Sequence, residues 1–458
     1  MKAFETINPA NGRSLERYPL ASGDEVDAML ARAIAAQRDW AGISLDERLQ
    51  VLERIADLFE SKQDELGVLM TREMGKPIAQ ARAEAAKCAL AFRYYVEHAP
   101  RLLADVSIPT DSRRSGYIYQ PLGTVFAIMP WNYPFWQVAR FAAPALAAGN
   151  AGVLKHAPNV IGCALAFVDL VREAGVPEGV FQTLVIDTDQ AAKVIADDRI
   201  AAVTLTGSER AGRSVAATAG KHLKKCVLEL GGSDPFVVLA DADLDKAVET
   251  GLTARFQNNG QSCIAAKRFI VDKSIYGDFC ARFRDRVEAF KVGDPSDEAT
   301  DIGPMARDDL RDGLAKQVKA SVNAGARVLV GGNSVDGKGF YYQPSVLADV
   351  VGGMPAADEE LFGPVAAVLR AEDESEALRL ANATPYGLGG SVWTRDSGRG
   401  ERFARRMACG GAFVNGMVKS DPRLPFGGIK RSGYGRELSG PGIHEFVNIK
   451  TLWVADDS

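Results

Sequence analysis

The chain has 458 residues, 47% of them hydrophobic, so it can bury large cores and is long enough for two or three domains. Lys and Arg number 54 against 59 Asp and Glu, a net charge of −5, and no basic tract occurs, which argues against a nucleic-acid-binding protein. The N-terminal residues show no basic segment followed by an apolar stretch, and no pair of cysteines forms a CxxC motif, so the expected location is the reducing cytoplasm.

The first hundred residues are predicted to form packing helices that carry no chemistry. The segments Ser22 to Glu25 and Ser44 to Glu47 each match a capping box, a typical start of a helix. Apolar residues follow the second box at helical spacing, at Leu49, Leu52, Ile55 and Phe59.

The uncharged segment Ser115 to Ala139 is long enough to cross a bilayer, but it is not predicted to do so. Prolines and glycine interrupt it repeatedly, at Pro121, Gly123, Pro130 and Pro134. Backbone groups released by such breaks would find no partners in lipid. No membrane association is therefore expected.

Short β-rich runs alternate with helical segments from Thr124 to Leu230, which predicts parallel strands joined by helical crossovers. Ligands of such sheets bind at the carboxyl ends of the strands. Polar and glycine residues stand at those ends, at Trp131, Asn132, Lys155, Gly207, Ser208 and Glu229.

Asn132 and Arg140, near the end of the first strand, each have two interpretations. Asn132, between two prolines, is either a turn residue or a hydrogen-bond donor to an oxyanion. Arg140 is the only charge between Arg114 and Lys155, so it requires a carboxylate, either from this protein or from a ligand. If a helix begins near Pro134, Trp136 and Arg140 lie on one face of it.

Two later strand ends carry groups suited to a cofactor and to catalysis. Lys155 and the segment Thr206 to Gly212 offer a cation, a serine hydroxyl and a helix start, which together form a weak phosphate signal because neither GxGxxG nor GxxxxGK[ST] occurs. Glu229 ends an apolar strand, where burial would raise its pKa and make it a usable general base.

A second α/β pattern begins near Pro235 and continues past residue 400. It contains Cys263, which alone among the six cysteines follows a polar, glycine-containing run, Asn258 to Ser262, and is therefore the candidate nucleophile. No cluster of metal ligands is evident, so no metal site is predicted. The tail Phe446 to Val454 alternates like a strand without a sequential partner, which predicts pairing across a subunit interface.

Seven motifs in order resemble those of the NAD(P)-dependent aldehyde dehydrogenase superfamily over essentially the whole chain. They are PWNYPFW, VLKHAPN, LTGSERAG, LELGGSDP, FQNNGQSC, EELFGPV and PFGGIKRSGYGRE. The resemblance implies an α/β fold with a Rossmann-like cofactor domain at 1–230, interrupted near 105–121 by an oligomerisation hairpin. It also implies an α/β catalytic domain at 231–430 and a β oligomerisation arm whose C-terminal strand lies within 438–458. A homodimer or homotetramer is the implied assembly.

The resemblance also implies a mechanism, in which Cys263 attacks an aldehyde, Asn132 stabilises the oxyanion and Glu229 activates water to hydrolyse the thioester. The implied cofactor is NAD or NADP. The cofactor residues that carry over are Pro130, Trp131, Lys155, Pro158, Gly207, Ser208, Leu230, Glu360 and Phe362. Many NAD-preferring relatives have a glutamate at the position of Pro158, so NADP should be tolerated here.

Within the superfamily, the compact length and the segments LKHAPN and GMVKSDPRLPFGG resemble the bacterial succinate-semialdehyde dehydrogenases. The resemblance implies that Arg140, Ser420 and Trp136 bind a small aldehyde with a distal carboxylate. Three alternatives remain: another semialdehyde or small aliphatic aldehyde, a CoA-acylating semialdehyde dehydrogenase, and a non-catalytic structural relative. No cysteine adjoins Cys263, so no local disulfide switch is predicted.

Overall fold

Fifteen α-helices and eighteen strands, numbered in chain order, make up the part of the chain that the computed structural model describes, residues 2–455. The helices are α1 Gly23–Gly42, α2 Leu45–Ser61, α3 Gln63–Met74, α4 Ile78–Leu102, α5 Trp136–Ala147, α6 Ile161–Glu173, α7 Thr188–Ala196, α8 Glu209–Lys221, α9 Leu244–Phe256, α10 Tyr276–Glu288, α11 Asp308–Asn323, α12 Pro355–Asp358, α13 Glu374–Asn382, α14 Ser397–Arg406 and α15 Ser439–His444. The strands are β1 Ala3–Asn8, β2 Arg13–Pro19, β3 Val106–Ser107, β4 Arg114–Pro121, β5 Thr124–Met129, β6 Ala151–His156, β7 Phe181–Thr183, β8 Ile200–Thr206, β9 Lys225–Glu229, β10 Asp234–Val238, β11 Ala266–Asp272, β12 Arg327–Val330, β13 Ser345–Ala348, β14 Val365–Ala371, β15 Gly389–Trp393, β16 Gly411–Val414, β17 Gly433–Tyr434 and β18 Val447–Val454.

The two predicted capping boxes begin the first two helices. Ser22 Oγ accepts from the Glu25 backbone N–H at 3.2 Å, and the Glu25 carboxylate accepts from the Ser22 N–H at 2.7 Å. Ser44 and Glu47 repeat the pattern at the start of α2. Each box satisfies orphan N–H groups at a helix start, so this sequence prediction is confirmed.

The prediction that the first hundred residues are all helical is incomplete. Strands β1 and β2 pair antiparallel at the N-terminal end, around a turn in which Gly12 has a φ of 71°. Most residues of these strands are exposed or half-buried, so neither strand has a buried face that would require alternating apolar residues. The periodicity that marks a half-buried strand is therefore weak here.

Two large sheets carry the rest of the fold. The first has the order β17-β9-β8-β5-β6-β7, and its strands from β9 to β7 are all parallel, as the alternation of elements predicts. The second has the order β12-β13-β14-β11-β10-β15-β16 and is parallel except for its edge pair β12–β13. The α/β fold class is thereby confirmed.

The domain boundaries remain predictions. The strands of the two sheets nevertheless divide the chain near the predicted boundary at residue 230. Strands of the first sheet fall within 124–229, apart from β17, and strands of the second fall within 234–414. Residue 1 of the first predicted domain and residues 456–458 of the predicted C-terminal segment lie outside the described residues.

The C-terminal strand β18 has a partner in its own chain, so the expectation that it lacks one is wrong. It pairs antiparallel with β4 along all of its eight residues, and β3 completes a three-stranded sheet. The two strands lie far apart in sequence, and no local signal links them. The other edge of β18 has no strand beside it among residues 2–455, and the side chains of Ile449 and Trp453 are 59% and 55% exposed.

The segment Ser115–Ala139, considered above as a bilayer span, forms most of β4, all of β5 and the start of α5. Across residues 2–455, no helix combines the length and the apolar character needed to cross a membrane.

Candidate active site

A tight turn places Cys263 at the end of α9. The turn covers Gln257–Gly260, and both Asn258 and Asn259 have φ values of 55°, in the left-handed region that asparagine tolerates better than most residues. The Asn259 side chain is fully buried, and its Nδ2 donates to the Gly75 carbonyl at 2.9 Å. The polar run read from the sequence is thus a rigid support for the cysteine.

Cys263 lies where two cavities meet, since its side chain lines both. Burial raises the pKa of its thiol to about 11, against the opposing effects of the nearby cations Arg140 and Lys267. The resting group is therefore a thiol, and it requires a base to become a nucleophile.

Asn132 directs its amide toward the turn that holds the cysteine. Its Nδ2 donates to the Gln261 carbonyl at 3.0 Å, and the Asn132 backbone carbonyl accepts from Asn258 Nδ2 at 2.7 Å. A primary amide carries two N–H donors, so one remains for another acceptor. Asn132 is 3% exposed and is fixed from both sides, which suits a preorganised oxyanion donor.

Glu229 ends β9 as a buried carboxyl group. Burial raises its pKa well above the usual range, Glu437 adds to the rise, and Arg140 and Arg436 oppose it. Neither of its side-chain oxygens has a hydrogen-bond partner within residues 2–455. A Cβ at Gly427 would come within 2.7 Å of Glu229 Oε1, so this glycine leaves room for the carboxyl group. An unpaired carboxyl of raised pKa is suited to general base chemistry.

The first cavity, here called the cationic cavity, has a volume of about 340 Å³ and is lined by Lys87, Trp136, Arg140, Ser420 and Cys263, among others. Helix α4 supplies Lys87, helix α5 supplies Trp136 and Arg140, and the loop before β17 supplies Ser420. The three predicted substrate residues Arg140, Trp136 and Ser420 are therefore brought together beside the cysteine.

Arg140 already has a carboxylate partner inside the protein. Its Nε lies 2.6 Å from Glu437 Oε2, and both side chains are almost fully buried. Its Nη2 donates to Thr206 Oγ1 at 3.4 Å, and its guanidinium lies 4.7 Å from the centroid of the Phe426 ring. Of the two alternatives that the sequence left open for Arg140, the internal ion pair is present.

Ser420 joins two side chains of the cationic cavity. Trp136 Nε1 and Lys87 Nζ both lie 3.0 Å from Ser420 Oγ, and Lys87 Nζ lies 4.2 Å from the centroid of the Trp136 ring. The helix that carries Lys87 was predicted to carry no chemistry, and the structure places this lysine in the lining of the cationic cavity. Lys87 is the only charge between Glu84 and Arg93, so the argument applied to Arg140 would have found it.

The second cavity, here called the glycine cleft, has a volume of about 250 Å³ and lies at the carboxyl ends of β5, β8 and β9. Seven of the nine predicted cofactor residues line it: Pro130, Trp131, Gly207, Ser208, Leu230, Glu360 and Phe362. The Trp131 and Phe362 rings meet edge to face, 5.7 Å apart.

The glycine cleft fits a dinucleotide. Ser208 is the N-cap of the 13-residue helix α8, so a helix start with its free N–H groups lies at the cleft and can receive a phosphate. A Cβ at Gly231 would collide with the Glu360 carboxylate, so only glycine lets that carboxylate sit against the backbone. A Cβ at Gly212 would come within 2.6 Å of the Leu230 side chain, so the absence of a side chain at Gly212 lets α8 pack close to the end of β9.

Lys155 and Pro158 lie beyond the glycine cleft. Lys155 is the penultimate residue of strand β6 and is 9% exposed. Burial lowers the pKa of its ammonium group, an effect that Asp187 opposes. Pro158 opens a short 3-10 turn that leads into α6. Both stand at the carboxyl end of a strand in the same sheet, so they extend the line of the cleft toward β6.

Lys267 connects the cysteine to the glycine cleft, and sequence reasoning missed it. Its Nζ donates to the carbonyls of Ser262 and Cys263 at 2.9 and 2.7 Å and lies 3.3 Å from Glu360 Oε1. Glu360 also accepts from the Gly232 N–H at 3.0 Å. Only its position four residues after the cysteine marks Lys267 in the sequence.

Known proteins resemble this chain over its whole length. The description "Aldehyde dehydrogenase family" belongs to the family model that matches residues 1–452. The succinate-semialdehyde dehydrogenase (NADP+) 1 of Mycobacterium tuberculosis is 52% identical over 455 residues, covering 98% of this chain and 99% of its own. The succinate-semialdehyde dehydrogenase (NADP+) of Mycobacterium avium is 52% identical and covers 98% of this chain and 96% of its own.

Solved structures give the same result. The succinic semialdehyde dehydrogenase of Streptococcus pyogenes, in complex with NADP+, superposes with a TM-score of 0.97 at 36% identity over 99% of this chain and 100% of its own. The succinate-semialdehyde dehydrogenase of Burkholderia pseudomallei has a TM-score of 0.96 at 36% identity, over 99% and 95% of the two chains.

Proposed function

Because the chain belongs to the aldehyde dehydrogenase family, we propose that it oxidises succinate semialdehyde to succinate with NADP+ or NAD+. The observation that carries the proposal is the position of Cys263, which faces the cationic cavity, lined by four cationic side chains, on one side and the glycine cleft on the other. The cations of the cationic cavity would attract an aldehyde with a distal carboxylate, and the glycine cleft fits a dinucleotide.

The first chemical step uses Cys263, Glu229 and Asn132. Cys263 Sγ forms a bond to the aldehyde carbon, and its thiol proton passes to the ionised form of Glu229. The carbonyl oxygen becomes an oxyanion, which the free N–H of the Asn132 amide and the Cys263 backbone N–H stabilise. Because both donors are fixed before the reaction, little reorganisation is needed as charge develops.

The glycine cleft would hold the cofactor, with Glu360 toward the ribose and the start of α8 at Ser208 toward the phosphates. When bound there, the oxidised nicotinamide supplies the acceptor for the hydride. Phe362, Trp131 and Leu230 would cover it and exclude water.

The last step is hydrolysis of the Cys263 thioester. After the proton taken from Cys263 has passed to solvent, ionised Glu229 removes a proton from a water molecule, the water oxygen attacks the thioester carbon, and the cysteine sulfur leaves as the thiolate. The raised pKa of Glu229 suits it to hold that proton at neutral pH. A base at this position favours water over CoA as the acyl acceptor.

Both cofactors are proposed, with NADP+ preferred. Relatives named above carry NADP+ in their names, and one solved relative contains it. Pro158 adds no negative charge near Lys155, so a 2′-phosphate would meet the cation Lys155 without repulsion from this position.

A homodimer or homotetramer is proposed from the exposed edge of β18. Ile449 and Trp453 present apolar surface beside unpaired backbone groups, a combination that favours pairing with a second copy. A cytoplasmic location is proposed because all six cysteines are free.

Steady-state kinetics with purified protein tests the function. We expect aldehyde-dependent formation of NADPH with succinate semialdehyde, at a kcat/KM well above that for butanal. Cys263→Ala should lose at least about 10⁴-fold in kcat with both aldehydes, because no other group can form the thioester. Cys409→Ala, a free cysteine outside both cavities, serves as the matched control and should retain activity.

Other outcomes would redirect the proposal. Preference for butanal would indicate a small aliphatic aldehyde as substrate, and turnover only with CoA would indicate the acylating reaction. Equal rates for wild type and Cys263→Ala would contradict the covalent mechanism.

A further inference from the structure

Four cations line the cationic cavity: Lys76, Lys87, Arg140 and Lys419. Lys76 is paired with Glu84 and Lys419 is exposed, which leaves Lys87 and Arg140, and the surroundings of these two differ. A buried charge is costly unless an opposite charge or hydrogen bonds compensate it. Arg140 is compensated by Glu437 at 2.6 Å. For Lys87, no carboxylate oxygen lies within 4.0 Å of Nζ in the described chain, and its polar contact there is Ser420 Oγ.

Lys87 therefore has unused donors. A lysine ammonium carries three N–H groups, and only the one toward Ser420 has a hydrogen-bond partner among residues 2–455. Its Nζ lies 4.2 Å from the centroid of the Trp136 ring, so the head group is held in place at the cavity.

The hydroxyl of Ser420 is forced to donate elsewhere. Its oxygen accepts two hydrogen bonds, from Trp136 Nε1 and from Lys87 Nζ, each at 3.0 Å. The indole N–H and the ammonium can act only as donors, and they occupy both lone pairs of the hydroxyl oxygen. The Ser420 O–H is then free to donate to an acceptor in the cavity.

We infer that Lys87 and the Ser420 hydroxyl together bind the distal carboxylate of the substrate, whereas Arg140 holds Glu437. This inference rests on the proposed function and names the specificity-determining cation of that site. One carboxylate oxygen meets the ammonium and the other meets the hydroxyl, a pair of charge-assisted hydrogen bonds. The same cation rejects aldehydes that carry a distal ammonium group.

The charges around Lys87 support this assignment. Burial, and then repulsion from Arg140, lower its pKa to about 8, whereas Glu84, Asp421 and Cys88 act in the opposite direction. A substrate carboxylate would relieve this strain on the ammonium form. Binding of the carboxylate should therefore weaken as pH rises through about 8 and Lys87 loses its proton.

The test compares Lys87→Met with wild type on two aldehydes. Methionine keeps a side chain of similar length and removes the charge. We expect KM for succinate semialdehyde to rise about 10- to 100-fold, the usual loss for a charge-assisted hydrogen bond, and KM for butanal to change less than about 3-fold. Lys87→Arg should recover part of the affinity for succinate semialdehyde. Arg101→Met, an exposed cation on the same helix, is the matched control.

A pH profile provides a readout that a purely structural role would not move. The ratio of kcat/KM for succinate semialdehyde to that for butanal cancels the titration of Cys263 and Glu229, which serve both substrates. In wild type this ratio should fall above pH about 8, and in Lys87→Met it should be flat.

Equal losses for both aldehydes in Lys87→Met, or an unchanged KM for succinate semialdehyde, would overturn the inference. Wild-type protein that fails to oxidise succinate semialdehyde would instead overturn the proposed function, so the two failures are distinguishable. A thermal unfolding midpoint within the range of the Arg101→Met control shows that a kinetic loss does not come from misfolding.

Discussion

The two cavities that meet at Cys263 are built by different means. The glycine cleft consists mainly of strand ends and the start of α8, with short segments such as Gly207 and Ser208 placed by the sheet itself. The cationic cavity consists of long side chains from three separate parts of the chain, represented by Lys87, Arg140 and Ser420. Local backbone geometry thus shapes one side of the cysteine, and tertiary contacts between distant side chains shape the other.

After loss of Cys263 itself, the largest effect is expected at Glu229, which lines the glycine cleft together with Cys263. Glu229→Gln should lower kcat by roughly 10²- to 10⁴-fold with every aldehyde, because the amide cannot accept a proton from water. If cysteine attack persists slowly, one equivalent of NADPH per subunit should form before the slow phase. Rapid-mixing measurements of NADPH formation check this.

Glu401→Gln, an exposed carboxylate on α14, is the control for Glu229→Gln. A loss confined to succinate semialdehyde would contradict a role for Glu229 in the steps at Cys263 that all aldehydes share. Rescue of Glu229→Gln by CoA would show that the thioester accumulates and that only its hydrolysis is lost.

The next largest effect distinguishes Arg140 from Lys87 in the cationic cavity. Arg140→Leu leaves Glu437 buried without its partner and should lower the free energy of unfolding by about 3–5 kcal/mol. The double variant Arg140→Leu/Glu437→Leu removes both charges and should recover most of that loss. Denaturant unfolding of wild type, the single variant and the double variant measures both the loss of stability and its recovery.

Activity data then assign Arg140. As a partner of Glu437, Arg140 affects both aldehydes alike in any variant that still folds. A stable Arg140→Leu protein with a raised KM for succinate semialdehyde alone would restore the role that the sequence predicted for this arginine.

The smallest effect lies at the far end of the glycine cleft. Pro158→Glu places a carboxylate beside Lys155, so it should weaken NADP+ binding about 10-fold by repulsion of the 2′-phosphate and leave NAD+ binding unchanged or improved. Calorimetric titration with the two cofactors checks this. Pro158→Gln separates charge from the loss of the proline, and equal changes for both cofactors would refute the electrostatic argument.

The glycine cleft could be predicted from the sequence, since its elements are local. The strand runs between Thr124 and Leu230 place polar residues at their carboxyl ends by alternation alone, and the structure confirms the parallel sheet. Capping boxes such as Ser22 to Glu25 are equally local, because both partners lie within one helical turn.

The cationic cavity could be predicted only in part, because its chemistry depends on contacts between distant segments. Ser420 and Lys87 lie 3.0 Å apart yet come from opposite ends of the chain. Glu437 was part of a recognised motif, but nothing in its spacing indicates that it faces Arg140. The partner of the terminal strand β18 was missed for the same reason, since β4 lies near residue 120 and β18 near residue 450.

The pairing of β18 with β4 also constrains how the molecule is made. Strand β4 leaves the ribosome roughly 330 residues before its partner does, and at ordinary elongation rates of about 5–20 residues per second it waits roughly 20 to 60 s. During that time its edge is exposed on the nascent chain. Closure of this sheet is therefore among the last events of synthesis, and a chain that terminates early carries an open β4 edge that other chains can bind.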